Sequence, residues 1–344
     1  MDAASIKDIP ELDDWLKERN LQGFWQMIGE HQRPREIKPF LWKWDDIATG
    51  LEKATEVVSM GDTGIQTGRR NIGLINPRML GGQSSSTIVL GAQCLVPGEV
   101  ARAHRHTPAA IRFVVKGVPG AYTVVDGEPM PMESGDLITT PSWSWHDHYN
   151  EGTEPVIWLD GLDAQLVRIA QSFREDYPTE QQPRDKPVGY STKTMGLTSP
   201  VREKTPYPAP AVRYAWTDTQ TALRALQEAE ADLDPYDGYK LMYRNPVNGG
   251  PTAPTFSCEI QLLPARFTSK AHRHNSTTLY HAFKGAGTTI IEGERIDWSQ
   301  GDIFAVPSWL WHEHKVGSEG EAILFAMTDW PTLTALGLYR EELA

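Results

Sequence analysis

Between residues 70 and 162, apolar stretches of strand length are broken at short intervals by Gly, Pro, Asn and Asp, and the same rhythm returns from about 237 to 328. Val125-Asp126-Gly127-Glu128 and Glu292-Gly293 read as the central hairpin turns of these two stretches. Elsewhere the apolar period lengthens to that of a helix. Leu12, Trp15, Leu16, Leu21, Phe24, Trp25 and Ile28 fall at helical spacing and predict an amphipathic helix from residue 9 to about 35. A second helix is expected over residues 217–231, capped by Asp218 or Thr219, after a connector at 172–210 rich in Pro, Thr and charge. Pro331 is placed to open a short closing helix that runs to Leu343. The pattern therefore predicts a mainly β chain in four parts. These are an N-terminal helical arm at 1–65, a first β-domain at 66–165, a connector with a helix at 166–236, and a second β-domain with a C-terminal helix at 237–344.

Histidines sharpen this picture. His104-Arg105-His106, His146-Asp147-His148, His272-Arg273-His274 and His312-Glu313-His314 hold eight of the ten histidines. Residues i and i+2 of a strand point to one face, so each pair offers two imidazoles to one point in space, which is half of a metal site. A third His from a later strand would complete a facial triad and leave the opposite side open. The pairs belong to a longer repeat. Ala103 to His106 matches Ala271 to His274 at an offset of 168, as Lys116-Gly117 matches Lys284-Gly285. Pro141 to His148 matches Pro307 to His314 at 166, preceded by Gly135-Asp136 and Gly301-Asp302. Self-similarity at this length marks two copies of a whole domain rather than a solenoid of short units.

Length and composition fit two domains with sizeable cores: 344 residues, 40% apolar, with twelve Trp. A net charge of -12 without a Lys/Arg stripe argues against a nucleic-acid or acidic-lipid surface. No apolar run approaches the roughly 18 residues a membrane helix needs. Met1-Asp2-Ala3-Ala4-Ser5 lacks the basic and apolar regions of a secretory leader, so a cytoplasmic location is expected. Cys94 and Cys258, in apolar stretches ahead of the His pairs, are expected as buried free thiols.

The spacing around the His pairs resembles the two motifs of the cupin superfamily. Gly98, His104, His106, Ala110 and Gly117 fall on the first, with Ala110 where the motif usually has Glu. Gly135, Pro141, Trp143, His146 and Asn150 fall on the second, with Trp143 replacing its middle Gly, so that His146 and not His148 takes the ligand slot. The resemblance implies a bicupin, two double-stranded β-helix or jelly-roll barrels, with the helical arm and interdomain helix as additions. Losing the Glu has a chemical consequence. Three neutral imidazoles leave a divalent ion its full charge, which favours an anionic chelator such as adjacent carboxylate and phenolate oxygens. Zinc or nickel would accept the same three donors.

Over nearly its whole length the chain is similar to the gentisate 1,2-dioxygenase family, which includes salicylate and 1-hydroxy-2-naphthoate dioxygenases. The segments that carry the likeness are Leu41-Trp42-Lys43-Trp44, Arg69 to Pro77, His104 to Gly117, Gly135 to Asn150 and Trp158 to Asp163. The resemblance implies one Fe(II) per subunit in the first cupin, held by His104, His106 and His146. It implies cleavage by O2 between C1 and C2 of a 2-hydroxybenzoate, gentisate to maleylpyruvate, without an organic cofactor. Salicylate, substituted salicylates including nitrosalicylate, and 1-hydroxy-2-naphthoate share the chelating head and stand as alternatives. Arg112, which shares the strand parity of His106, would pair with the substrate carboxylate or form an internal ion pair with Asp160. His148 would hydrogen-bond the phenolate or dioxygen, or act as acid and base, while Asp160 would orient His148 or meet a ring hydroxyl. Arg69 or Arg70 would enter the site from its upstream segment, or lie on the surface as a solvated charge. A homotetramer is the family's expectation.

Comparison of the two copies assigns the chemistry to the first. Tyr280 stands where copy one has Arg112, and Ala326 stands where it has Asp160, so the second copy keeps His272, His274 and His312 without the anion clamp. Whether that second triad holds a metal is left open by the sequence. Two rival classes follow from the motif. A sugar or dicarboxylate isomerase or decarboxylase would keep the Glu that Ala110 replaces, and in a storage bicupin the His pairs are generally lost. A non-enzymatic metal-binding bicupin is the remaining alternative.

Overall fold

The computed structural model describes residues 6–22, 25, 38–58, 70–77, 79, 83–195, 210–229 and 233–344. Residues 1–37 and 38–344 form separate compact units. In the first, Asp8 caps a helix at Ile9–Lys17 by accepting the Glu11 N–H at 2.9 Å, with Pro10 in the first turn. The helix ends well short of residue 35. Asn20 adopts a left-handed backbone (φ 56°), and the N–H of Leu21 turns back to the Leu16 carbonyl, which closes the C-terminus. Residues 26–37 lie outside the described residues.

Within 38–344, four antiparallel sheets form two double-sheet barrels. The six-stranded sheet of the first barrel runs Arg213–Tyr214, Leu137–Thr140, Ala110–Lys116, Val156–Leu162, Val89–Leu95, Asn71–Gly73. Its five-stranded sheet runs Glu175–Asp176, Val100–His106, His146–Asn150, Ala121–Val125, Glu128–Pro131. The second barrel repeats this with Phe40–Trp42, Ile303–Val306, Thr278–Lys284, Ala322–Thr328, Ser257–Leu263 and Tyr239–Met242. Facing that sheet are Glu294–Trp298, Gly287–Ile291, His312–Lys315, His272–His274 and Glu341–Leu343. The hairpin turns fall where expected, with Asp126 and Gly127 at φ 45° and 85°, and Glu292 and Gly293 at 49° and 81°. Two consecutive positive φ angles are what a two-residue hairpin of matching twist requires.

The two six-stranded sheets pack against each other through their outer faces, so these strands are buried on both sides. In Ala110–Lys116, Ile111 and Phe113 enter the core between the barrels, whereas Val114 fills the first barrel's interior with Leu95 and Trp158. Phe113 stacks on Phe325 of the second barrel with ring centroids 4.1 Å apart. That two-sided burial is why the strand reads as a continuous apolar run rather than an alternation. Cys94 and Cys258 both sit in this shared core as free thiols, and burial pushes both above the usual thiol range.

Each barrel takes an edge strand from outside its own repeat, and the helix after that strand packs on the other barrel. Phe40–Trp42, within the segment expected as an arm, is an edge strand of the second barrel, and the helix Trp44–Val57 follows it. Arg213–Tyr214 is an edge strand of the first barrel, and the helix Trp216–Glu228 follows it. Both helices lack a local cap: the expected Asp218 and Thr219 lie inside the second one. A buried carboxylate from the barrel does the capping instead. Asp302 accepts the Trp44 N–H at 2.9 Å and the Lys43 ammonium at 2.7 Å. Asp136 accepts the Trp216 N–H at 2.8 Å and the Arg213 guanidinium at 2.7 Å. The preceding glycines leave room for the indoles, since a Cβ on Gly301 would lie 2.5 Å from Trp44 and one on Gly135 would lie 2.7 Å from Trp216.

The C-terminus departs from expectation. Pro331 does open a helix, but it spans only Trp330–Ala335, and Gly337 (φ 71°) turns the chain back. Glu341–Leu343 then adds a strand beside His272–His274. An unpaired edge of backbone N–H and C=O groups outweighs helical continuation there. No helix among the described residues is long and apolar enough to cross a membrane.

Asp302→Ala leaves the Trp44 and Ser299 N–H groups without their acceptor and Lys43 without its partner. The expected cost is about 2–5 kcal/mol in denaturant unfolding, with early proteolytic cutting near the freed 38–58 segment.

Candidate active site

His104 and His106 leave the strand Val100–His106, and His146 begins the strand His146–Asn150 directly opposite His104. A register shift between Ala101 and His104 lets Ala101 fill the barrel's core while the later imidazoles gather into one cluster. All three are buried, and their donor nitrogens lie within 4.8 Å of one another. Ring centroids are 3.9 Å apart for His104 and His146, and 4.9 Å for His106 and His146. The His106 Nδ1 lies 2.7 Å from the Pro108 carbonyl and the His146 Nδ1 lies 3.0 Å from the Ser144 carbonyl. A carbonyl there takes the Nδ1 proton and leaves Nε2 with its lone pair for a metal.

The turn before His146 is held in an unusual conformation. Trp143, at the slot where the motif has Gly, has φ 66°, and its N–H donates to the His106 carbonyl at 2.8 Å. Arg105 offsets that strain. Its guanidinium lies 4.4 Å from the ring centroids of both Trp143 and Trp145 and pairs with Asp176 at 2.7 Å. The residue between His104 and His106 thus locks the loop that delivers His146.

From the triad a chain of contacts leads to a buried ion pair. His148, fully buried, lies 6.0 Å from His146 by ring centroids and 5.1 Å from Trp158. The Trp158 indole N–H donates to Asp160 Oδ1 at 2.9 Å, and the Asn71 amide donates to Asp160 Oδ2 at 2.9 Å. Arg112 stands beside Asp160 in register on the neighbouring strand, with Nε 3.5 Å from Oδ1, and also donates to the Thr140 hydroxyl. Burial lowers the guanidinium's pKa, with Asp160 opposing that effect. Both expected partners of Arg112 are therefore compatible: Asp160 holds one edge of the guanidinium and does not use up its five N–H groups.

Arg70 does not join these residues. Its guanidinium pairs with Glu99 and reaches the Thr55 carbonyl at 3.3 Å, on the side of the strand opposite to Asn71, whose amide meets Asp160. Arg69 lies outside the described residues. Sequence reasoning missed Asn71, Gln93 and Tyr177. Gln93 is fully buried, with both amide atoms unpartnered among the described residues, level with Trp158 and Asn71 in the sheet register. Its signal was available, because Gln261 repeats it at the same offset of 168. Tyr177 stacks on His104 at 6.1 Å from the connector, and no periodicity marks it. An apolar cavity of about 260 Å³ is lined by Ala109, Ala110, Thr140, Pro141, Val167 and Phe256, and by none of His104, His106, His146, His148 or Arg112.

The second barrel repeats the cluster. His272, His274 and His312 are buried with donor atoms within 4.8 Å of one another, and His272 faces His312 in register. Tyr280 and Ala326 stand in register where the first barrel has Arg112 and Asp160.

Known proteins place these features. The cupin domain family matches residues 91–161 and 259–328. The chain is 38% identical to a 1-hydroxy-2-naphthoate 1,2-dioxygenase of Nocardioides sp. (strain KP7), over 99% of this chain and 89% of that one. It is 36% identical to a gentisate 1,2-dioxygenase of Haloferax sp., over 95% and 94%. Among solved structures, a mutant salicylate 1,2-dioxygenase from Pseudoaminobacter salicylatoxidans in complex with gentisate superposes with a TM-score of 0.88 at 29% identity, covering 99% and 97% of the two chains.

Asp160→Ala strands the Arg112 charge in the barrel, and a loss of about 3–5 kcal/mol is expected in urea unfolding. The double change Arg112→Met with Asp160→Leu recovers most of it, because an apolar pair needs no desolvation.

Proposed function

This chain belongs to the gentisate 1,2-dioxygenase family of bicupin ring-cleaving enzymes, and from that premise we propose that its first barrel is an Fe(II) site. There O2 is inserted between C1 and C2 of a 2-hydroxybenzoate, with gentisate converted to maleylpyruvate. His104, His106 and His146 would hold the ion; three buried imidazoles, two of them with Nδ1 turned to a backbone carbonyl, fit a divalent transition metal. Fe(II) supplies Lewis acidity and a route for electrons between an electron-rich ring and O2.

The protein's own part is charge and position. With Ala110 in place of a carboxylate ligand, no anion offsets the ion, so the site favours the two negative oxygens of a carboxylate and its neighbouring hydroxyl. Arg112, anchored by Asp160 and Thr140, offers its remaining N–H groups to the substrate carboxylate. His148, packed on Trp158, holds or moves the proton of the ring hydroxyl. Gln93 presents to the same interior an amide that has no partner among the described residues. One observation carries the reading: a buried arginine is joined to a three-imidazole cluster in the same barrel by four successive contacts, through His148, Trp158 and Asp160. The 38% identity to a 1-hydroxy-2-naphthoate 1,2-dioxygenase supports a second reading, a substrate with a fused second ring. Resemblance alone supports a cytoplasmic homotetramer.

Metal-free protein reconstituted anaerobically with Fe(II) is expected to consume one O2 for each ring-opened product when gentisate is added. Binding without turnover would sink the proposal. Comparison of kcat/KM for gentisate, salicylate and 1-hydroxy-2-naphthoate decides between the two substrate readings. Arg112→Ala is expected to lower kcat/KM by about tenfold to a hundredfold, chiefly through KM, the worth of a charge-assisted hydrogen bond.

A further inference from the structure

The second triad shares its barrel with charges that the repeat did not reveal. Lys240, on the strand Tyr239–Met242, takes the register position that Asn71 holds in the first barrel, each beside the repeated glutamine. Glu259 takes the position of Gly91 at the same offset of 168. The Lys240 ammonium lies 2.9 Å from Glu259 and 3.2 Å from Asp237, and the Trp330 indole donates to Glu259 at 2.9 Å. These groups line one cavity of about 300 Å³ together with His272 and His274, with Glu341 at its rim on the strand that pairs with His272–His274.

The triad itself is built as a ligand set. The His274 and His312 Nδ1 atoms lie 2.9 Å and 3.1 Å from the Ser276 and Leu310 carbonyls, repeating the first barrel's arrangement. His312 Nε2 is buried and has no partner among the described residues. Arg273 clamps the turn over Trp309 and Trp311, at 4.5 and 4.8 Å, and Trp309 is again left-handed at φ 64°.

What differs is the charge around it. In the first barrel Arg112 and Asp160 cancel, so a divalent ion there leaves the interior with its full positive charge. In the second, one ammonium faces the carboxylates of Asp237, Glu259 and Glu341, and a divalent ion brings the cavity to neutrality. We propose that the second barrel binds a divalent transition metal of its own at His272, His274 and His312, in a charge-balanced site that retains the ion and does not recruit an anionic hydroxybenzoate. The contrast in substrate rests on the reading of the first barrel; the metal site does not.

Metal-free protein reloaded anaerobically with Fe(II) alone, or Zn(II) alone, and freed of excess is expected to carry two equivalents per chain by mass spectrometry of the metal. His272→Ala with His312→Ala removes one equivalent, and His104→Ala with His146→Ala removes the other. A metal count that the C-terminal change leaves unaltered overturns the second site, whereas an unchanged count in the N-terminal variant overturns the reading of the first barrel. Asp237→Asn with Glu259→Gln keeps the triad intact and guards against a misfolded His variant. One of the two equivalents is then expected to pass to a chelator about tenfold to a hundredfold faster. Equal release from this variant and the unsubstituted chain overturns the charge balance. Anaerobic calorimetric titration of the fully loaded protein with gentisate is expected to give one site per chain; two sites overturn the exclusion.

Discussion

The register between Val100–His106 and His146–Asn150 is the constraint on which the rest depends. A slip of one residue would turn every imidazole to the opposite face and abolish the cluster. Several devices pin that register from different directions. The irregularity after Ala101 sets the parity of His104, the left-handed Trp143 closes onto the His106 carbonyl, and Arg105 stacks over both turn tryptophans from outside. The second barrel repeats the clamp with Arg273, Trp309 and Trp311, where Glu342 rather than Asp176 takes the guanidinium at 2.5 Å. Strain of about 1–3 kcal/mol at a left-handed Trp persists only when its surroundings over-determine it, as two cation–π contacts do here.

What was legible in the sequence is what obeys a local rule. His-x-His in a strand, paired at a fixed offset, gave both triads, and two-residue turns with Gly gave both central hairpins. The likeness of Arg112 to Tyr280 and of Asp160 to Ala326 in position also holds in the sheet register. Illegible were features whose cause lies far along the chain. The helix after Ala215 is capped by Asp136 and the one after Lys43 by Asp302, eighty and 258 residues away, so no cap could be read from neighbours. The role of Gly-Asp in each repeat appears only once the strand and helix from outside the repeat are docked upon it. Arg70 looked like a substrate-facing cation because it adjoins a family-like segment, yet its parity opposes that of Asn71 and Glu99 claims it.

The same limit explains why the second barrel looked simply depleted. Position-by-position comparison of repeats detects the loss of a cation at Tyr280 but not the arrival of another from an adjacent strand. Lys240 and Glu259 replace Asn71 and Gly91, two positions that carry no charge and so attract no attention in the first copy. Gly91 is itself informative: a Cβ there would lie 2.3 Å from the Asn71 amide oxygen, so the small residue makes room for the group that supports Asp160.

Duplication of a metal-binding barrel therefore fixes the donor set more tightly than the chemistry around it. Both triads are made of imidazoles alone, with no carboxylate; in the second, burial pushes His274 down to about 4 and holds His272 and His312 below the usual imidazole range. Neutral donors contribute affinity without contributing charge, so the electrostatics of each site is set by the residues beyond them. On the proposed reading, a balanced Arg112 and Asp160 would leave a bound cation's charge to be met by substrate, while an excess of carboxylates around Lys240 would meet it from within. One scaffold can in this way hold a centre that demands an anionic guest beside one that excludes it, with no change in ligands.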